Sequence, residues 1–177
     1  MSYTQKLLQT NKNIFRTSDL AILWEIEDTN LLLTTIKRYI EKGTLHRIYK
    51  GLYSKKPLDQ LNKYEIACAI GGSSSYVSGE TVLINEGVIM QNISEIIVYG
   101  QTQKSINVNN QQYTIRFANE KYLLNRVGII NNENYSIATK ERALVDIRIS
   151  NPNYYIDNEK GIDQKELKLI SSKLQIS

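Results

Sequence analysis

Apolar residues in the first third of the chain recur at helical spacing between polar turns, which predicts three helices. The first helix is expected over residues 4–11, with Leu7 and Leu8 facing inward. A second helix should begin at Thr17, a good N-cap residue, and end near Glu25. These two short helices precede the longest periodic segment of the region.

The third predicted helix is amphipathic. A cluster of capping residues at 27–29 opens it, and Leu33, Ile36 and Ile40 form one apolar stripe. Gly43 ends the helix at the expected C′ position. The opposite side carries polar and charged residues: Asn30, Thr34, Lys37, Arg38 and Glu41. Two helices across a tight turn, the second with a basic outer face, are typical of a helix-turn-helix.

A β-hairpin is predicted directly after the third helix. Residues 45–55 alternate as strand, glycine turn and strand. The tip offers Arg47 and Lys50, two long cations suited to phosphates, beside the hydroxyl of Tyr49. A hairpin in this place is the wing of a winged helix-turn-helix, so we predict a DNA-binding domain of that type over residues 1–57.

The remaining residues, 58–177, mix helical and strand patterns. Period-two alternation over 94–118 predicts strands, with Asn109 and Asn110 in a hairpin turn. A helix from Thr139 is expected to carry an Arg142–Asp146 ion pair on its outer side. Further helices are predicted over residues 63–70, 79–86 and 163–174. The chain as a whole is therefore expected to be α+β, with a mixed α/β domain after the winged helix.

Positive charge is concentrated in the first third of the chain. Residues 1–56 hold ten basic and five acidic side chains, whereas residues 57–177 hold 12 and 13. Such asymmetry favours a polyanion-binding module joined to a neutral interaction module. A basic face that only keeps the protein in solution is the alternative interpretation.

Residue types that carry catalysis or metal binding are scarce. His46 is the single histidine and Cys68 the single cysteine, so neither a disulfide nor a histidine or cysteine metal site is expected. Glu80, Glu141 and Asp146 are interpreted as caps and ion pairs. We therefore predict a non-enzymatic protein without catalytic residues, metal or cofactor. Neither a signal peptide nor a membrane-spanning stretch is evident, and a cytoplasmic location is expected.

Several segments resemble the AbiEi family, the bacterial antitoxins of type IV toxin–antitoxin systems. Residues 42–53 match the pattern Lys-Gly-x-Leu-x-Arg-Ile-x-x-Gly-Leu-Tyr. Phe15–Ala21, Tyr76–Leu83 and Ile137–Asp146 are also similar to family segments. The resemblance implies a winged helix followed by a C-terminal antitoxin domain, repression of the protein's own promoter through repeats, and a nucleotidyltransferase toxin as functional partner.

The winged-helix interpretation predicts which side chains contact DNA. Base edges are assigned to the third helix, because asparagine and arginine pair bidentately with adenine and guanine. Phosphate contacts are assigned to helix caps and long cations. The predicted DNA-binding residues are Thr17, Ser18, Asn30, Thr34, Thr35, Lys37, Arg38, Arg47, Tyr49 and Lys50.

Two other functions stay open at the level of sequence. One is a protein-interaction module whose winged helix does not bind DNA, since Leu31 and Leu32 lie where base-reading groups are expected. The other is an enzyme that processes nucleic acid. Salt dependence distinguishes the first from a DNA-binding protein, because phosphate contacts release counterions and a protein interface does not.

Overall fold

The computed structural model describes residues 2–175, and it shows an α+β protein. The chain divides into two compact units, Met1–Ile66 and Ala67–Ser177. The division falls within the helix α4 (Lys63–Gly71). Each unit has its own sheet, of three and of six strands.

The first unit combines three helices with a small antiparallel sheet. Strand order is β1-β3-β2, so the last strand lies between the other two. A short 3₁₀ turn at Leu58–Gln60 follows the sheet. The elements are α1 (Tyr3–Gln9), β1 (Ile14–Arg16), α2 (Thr17–Trp24), α3 (Thr29–Glu41), β2 (His46–Tyr49) and β3 (Leu52–Ser54).

The predicted helix ends follow from local chemistry. Asp28 accepts the Leu31 N–H at 2.7 Å and so caps the start of α3. Gly43 adopts a left-handed φ of 68° just after the C-cap Lys42, a conformation that glycine adopts without steric cost. The expected helix end at Gly43 is thus confirmed. For α2 the N-cap is Arg16 and Thr17 is the first helical residue, so the prediction of Thr17 as the N-cap is wrong by one residue.

An aromatic stack forms the centre of the first unit's core. The Trp24 ring lies 5.3 Å from that of Tyr3 and 5.1 Å from that of Tyr39, measured between centroids. These rings join α1, α2 and α3, and Leu20 and Leu45 are fully buried in the same cluster. Contacts between three helices fix which side of α3 faces outward.

Two predictions about inward faces in this unit are wrong. Leu8 is 70% exposed, because α1 directs Leu7 alone into the core. The buried stripe of α3 consists of Leu32, Thr35, Ile36 and Tyr39. Leu33 faces out because the rotation of the helix is set by the aromatic core around Tyr39. Strand β1, at Ile14 and Phe15, was not predicted.

The second unit is built on a six-stranded mixed sheet. Strand order is β6-β7-β5-β4-β9-β8, with parallel pairing of β5 with β7 and of β4 with β9. Its strands are β4 (Tyr76–Val77), β5 (Ile96–Gly100), β6 (Lys104–Val108), β7 (Gln111–Phe117), β8 (Ile129–Asn131) and β9 (Ser136–Ala138). Its helices are α5 (Glu80–Asn85), α6 (Glu120–Leu124), α7 (Lys140–Ser150) and α8 (Gln164–Lys173), with a 3₁₀ turn at Glu159–Gly161.

The predicted hairpin of this unit is confirmed. Asn109 and Asn110 both have positive φ, 49° and 64°, between the antiparallel strands β6 and β7. Two consecutive left-handed residues give the turn the twist of its flanking strands. Helix α6 was not predicted from the sequence.

The Arg142–Asp146 pair lies inside the second unit, so its predicted outward position is wrong. The two side chains are 0% and 1% exposed, and Arg142 Nε donates to Asp146 Oδ1 at 2.9 Å. Helix α7 buries residues 141–147 without a break. The Arg142–Asp146 pair is therefore packed between α7 and the sheet. There the Tyr76 hydroxyl and Ser78 Oγ also donate hydrogen bonds to Asp146.

Across residues 2–175, none of the helices combines the length and apolar character that crossing a bilayer requires.

Candidate nucleic-acid interface

The outer face of α3 presents a polar, basic stripe to solvent. Asn30, Thr34, Lys37 and Arg38 are all exposed, at positions spaced by three or four residues. Side chains at such spacing lie on the same side of a helix. The structure therefore brings these four predicted residues together on one surface.

Thr35 is separated from that surface. Its side chain is 3% exposed and belongs to the buried stripe of α3. A residue in this position cannot reach a base edge while the helix keeps its packing. The prediction that Thr35 contacts DNA is therefore corrected.

The β2–β3 hairpin carries the second basic group. Arg47, Tyr49 and Lys50 are exposed at and near its turn, while Ile48 is buried. The pairing register shifts between Arg47 and Tyr49, an irregularity of the kind that re-aims a side chain. Gly51 forms the turn with a φ of 74°.

Helix α2 begins directly beside this hairpin turn. The Thr17 N–H donates to the Gly51 carbonyl at 3.1 Å, and its hydroxyl lies 3.5 Å from the same oxygen. Thr17 thus uses its donors to hold the hairpin against α2. Ser18 is exposed next to it. The start of α2 and the turn of the hairpin consequently form one continuous surface.

Lys37 and Arg38 share α3 with one acidic side chain, the exposed Glu41. In the part of the chain that the structure describes, no ion pair involves Lys37, Arg38, Arg47 or Lys50. The Arg38 guanidinium lies 5.9 Å from the ring centroid of Tyr39, within range of a cation–π contact. Four positive side chains are therefore available to an anionic partner.

Acidic groups of the same unit are partly neutralised by other lysines. Lys12 Nζ lies 2.6 Å from Asp19 Oδ2, and Lys6 Nζ lies 2.7 Å from Glu25 Oε1. Partial burial acts to raise the pKa of Asp19, but the Lys12 hydrogen bond and charge bring it below its usual value. The Lys6 hydrogen bond lowers the pKa of Glu25. These pairings reduce the negative charge that would otherwise oppose binding of a polyanion.

Leu31 is exposed on α3 as expected, whereas Leu32, which was expected beside it at a base-reading position, is buried. The exposure of Leu33 was not predicted. Leu31 is 54% and Leu33 47% exposed, at either side of the polar stripe. Periodicity alone assigned Leu33 to the core, and only the packing of Tyr39 shows the true rotation of the helix. Their position beside Asn30 and Lys37 makes them part of the candidate interface.

The single cysteine and the single histidine of the chain are both at least partly buried. Cys68 is buried, and burial raises the pKa of its thiol. His46 is half-buried in β2. Among residues 2–175, no three histidine, cysteine or acidic side chains are grouped in a way that would hold a metal ion.

Comparison of the chain with protein-family models and with curated proteins gave no match.

Proposed function

We propose that the protein is a DNA-binding transcriptional repressor whose first unit is a winged helix-turn-helix. The observation that carries this proposal is the exposed face of α3, where polar and basic side chains are grouped that form no ion pair within residues 2–175. The order of elements, two helices followed by an antiparallel hairpin, agrees with a winged helix. In such domains the second helix of the pair enters the major groove.

Each group in this proposal has its own role. Asn30, Thr34 and Arg38 contact base edges, because amide and guanidinium groups match adenine and guanine. The DNA phosphates are contacted by the cations Lys37, Arg47 and Lys50. The hydroxyls of Tyr49 and Ser18 are neutral hydrogen-bond donors to the DNA backbone. Thr17 holds the hairpin in place through its hydrogen bond to Gly51. It therefore supports DNA binding by positioning the hairpin. The proposed role needs no catalysis, metal or cofactor.

We further propose that the repressor acts as an antitoxin of a type IV toxin–antitoxin system. The support is the resemblance of residues 42–53 and Ile137–Asp146 to AbiEi segments. In this role the protein would repress its own promoter by binding repeats there. It would also counteract a nucleotidyltransferase toxin in the cytoplasm. If this role is correct, co-expression of the chain with a nucleotidyltransferase toxin of a type IV system should restore growth, and continued growth arrest would contradict it.

The DNA-binding proposal is tested by titrating the full chain against the DNA upstream of its own coding sequence. Scrambled DNA of equal length serves as competitor, and salt is varied. About five phosphate contacts would give a log–log salt slope near −4 to −5. We expect Arg38→Ala to relax sequence preference and to weaken binding by about 1–3 kcal/mol, and Lys50→Ala to lower the salt slope by about one.

Lys168→Ala is the matched control, because it removes an exposed lysine of the second unit. It should leave affinity and slope unchanged. Equal affinity for scrambled DNA together with indifference to Arg38→Ala and Lys50→Ala would contradict the proposal. In that case the exposed leucines Leu31 and Leu33 favour the second candidate, a protein-interaction module, whose binding would depend only weakly on salt.

A further inference from the structure

Leu33 occupies an unusual place for a large apolar side chain. It is 47% exposed on α3, three residues after Asn30 and four before Lys37. Neighbours at these spacings share a helix side. An aliphatic group therefore lies at the border of the polar and basic stripe.

Leu33 is not part of the core cluster of the first unit. Leu32, Ile36 and Tyr39 form the inner side of α3 against the aromatic core. About half of Leu33, 47% of its surface, remains in contact with water. Contact with an apolar group of a partner would remove that surface from water and add to affinity.

The surrounding charges indicate which partner provides that apolar group. Lys37 and Arg38 lie on the same helix without ion pairs in the described part of the chain, so the face suits a polyanion. In the major groove of DNA, the apolar group displayed at base edges is the 5-methyl of thymine. A leucine at the border of this stripe, beside the base-contacting Asn30, is suited to pack against that methyl group.

We propose that Leu33 is a specificity-determining residue that packs against a thymine 5-methyl group and so selects an A·T pair. This inference rests on the proposed DNA binding by α3. Asn30, one turn earlier, offers an amide that pairs with adenine N6 and N7. Cβ atoms at this spacing are about 5–6 Å apart, and base pairs are stacked about 3.4 Å apart. Asn30 and Leu33 therefore reach the same or neighbouring base pairs.

The test compares two forms of the DNA upstream of the protein's coding sequence, one with thymine and one with uracil in its place. Uracil keeps the base pairing and lacks only the methyl group. Each form is titrated with the full-length wild type and with Leu33→Ala, Leu33→Met and Leu8→Ala. Leu8 is the matched control, since it is an exposed leucine on α1.

Uracil DNA should bind the wild type about fourfold more weakly for each methyl group in contact. Leu33→Ala should lose a similar factor on thymine DNA and bind the two forms almost equally. Leu33→Met, which keeps an apolar chain of similar volume, should still prefer thymine DNA. Leu8→Ala should behave as the wild type.

A thymine preference that persists unchanged in Leu33→Ala would overturn the inference, since the methyl groups would then act through DNA shape or through other residues. Equal binding of both DNA forms by the wild type would overturn it as well. Both results leave the proposed DNA binding intact. Absence of wild-type binding to either form would instead overturn the proposed function, and this inference with it.

Discussion

Arg142 uses all five of its N–H donors within the second unit. Nε donates to Asp146, and the two terminal nitrogens donate to the Tyr76 hydroxyl and to three backbone carbonyls. The carbonyls belong to Tyr122, Asn125 and Val127. A buried guanidinium is tolerated only with such complete pairing. Arg142 thus connects α7 to the segment around α6, and its role is structural.

Removing Arg142 should destabilise the second unit strongly. We expect Arg142→Met to lower the free energy of unfolding by about 3–5 kcal/mol, because Asp146 would be left as an unpaired buried carboxylate. Urea unfolding followed by far-UV circular dichroism measures this change. Lys140→Met on the same helix, at a half-exposed position, should stay within about 0.5 kcal/mol of the wild type. Equal effects of the two substitutions would contradict the role given to Arg142.

At the scale of elements, helix and strand boundaries follow closely from local residue types. The ends of α3 are set by Asp28 and Gly43, and the hairpin turn of the second unit is set by Asn109 and Asn110. Each of these effects acts within a few residues of the chain, so the sequence contains the information. Strand β1 was missed because its three residues pair with β3, which lies far along the chain.

The N-cap of α3 allows a direct test of this local control. Asp28→Ala should cost about 1 kcal/mol of the first unit's stability, because the Leu31 N–H loses its acceptor. Asp28→Asn is the matched control, since asparagine caps equally well and carries no charge. Trp24 is the single tryptophan of the chain and lies in this unit's core, so its fluorescence reports unfolding. If Asp28→Asn lost as much stability as Asp28→Ala, charge and not capping would be responsible.

At the scale of the whole molecule, the two units differ in charge and in buried chemistry. Residues 1–66 hold eleven basic and seven acidic side chains, and residues 67–177 hold eleven of each. In the second unit positive and negative side chains balance, and several tyrosines are buried. Burial raises the pKa of Tyr76, Tyr99 and Tyr113 above the ordinary value of about 10.

These tyrosines predict that the second unit loses stability at alkaline pH. Above about pH 10 the unfolded chain ionises its tyrosines while the folded unit keeps them neutral, so the unfolded state binds fewer protons. The stability contribution is complete below that pH and falls as pH rises, by at most about 1.4 kcal/mol per pH unit for each such tyrosine. Unfolding followed by circular dichroism from about pH 8 to about pH 11, on both sides of the ordinary tyrosine pKa of about 10, tests this slope.

Tyr113→Phe tests the contribution of one tyrosine to this alkaline loss of stability. The substitution removes the titrating hydroxyl without breaking a hydrogen bond, because the Tyr113 hydroxyl makes none within residues 2–175. This variant should keep its packing and show a shallower slope, because it removes one tyrosine whose pKa is raised by burial. Tyr155→Phe, at a residue that is 74% exposed, should leave the slope unchanged. A stability that stays constant to pH 11, about one unit above the tyrosine value, would contradict the prediction.

The α+β class, most helix and strand positions and the concentration of positive charge near the N-terminus could all be predicted from the amino-acid sequence. These depend on local spacing, on capping residues and on composition, all of which act over short distances along the chain. The tertiary structure alone decided which side of each element is buried. Thr35 is inside and Leu33 outside because the aromatic core at Trp24 and Tyr39 sets the rotation of α3. Likewise, the partners of Arg142 come from segments distant in sequence, and only folding brings them together.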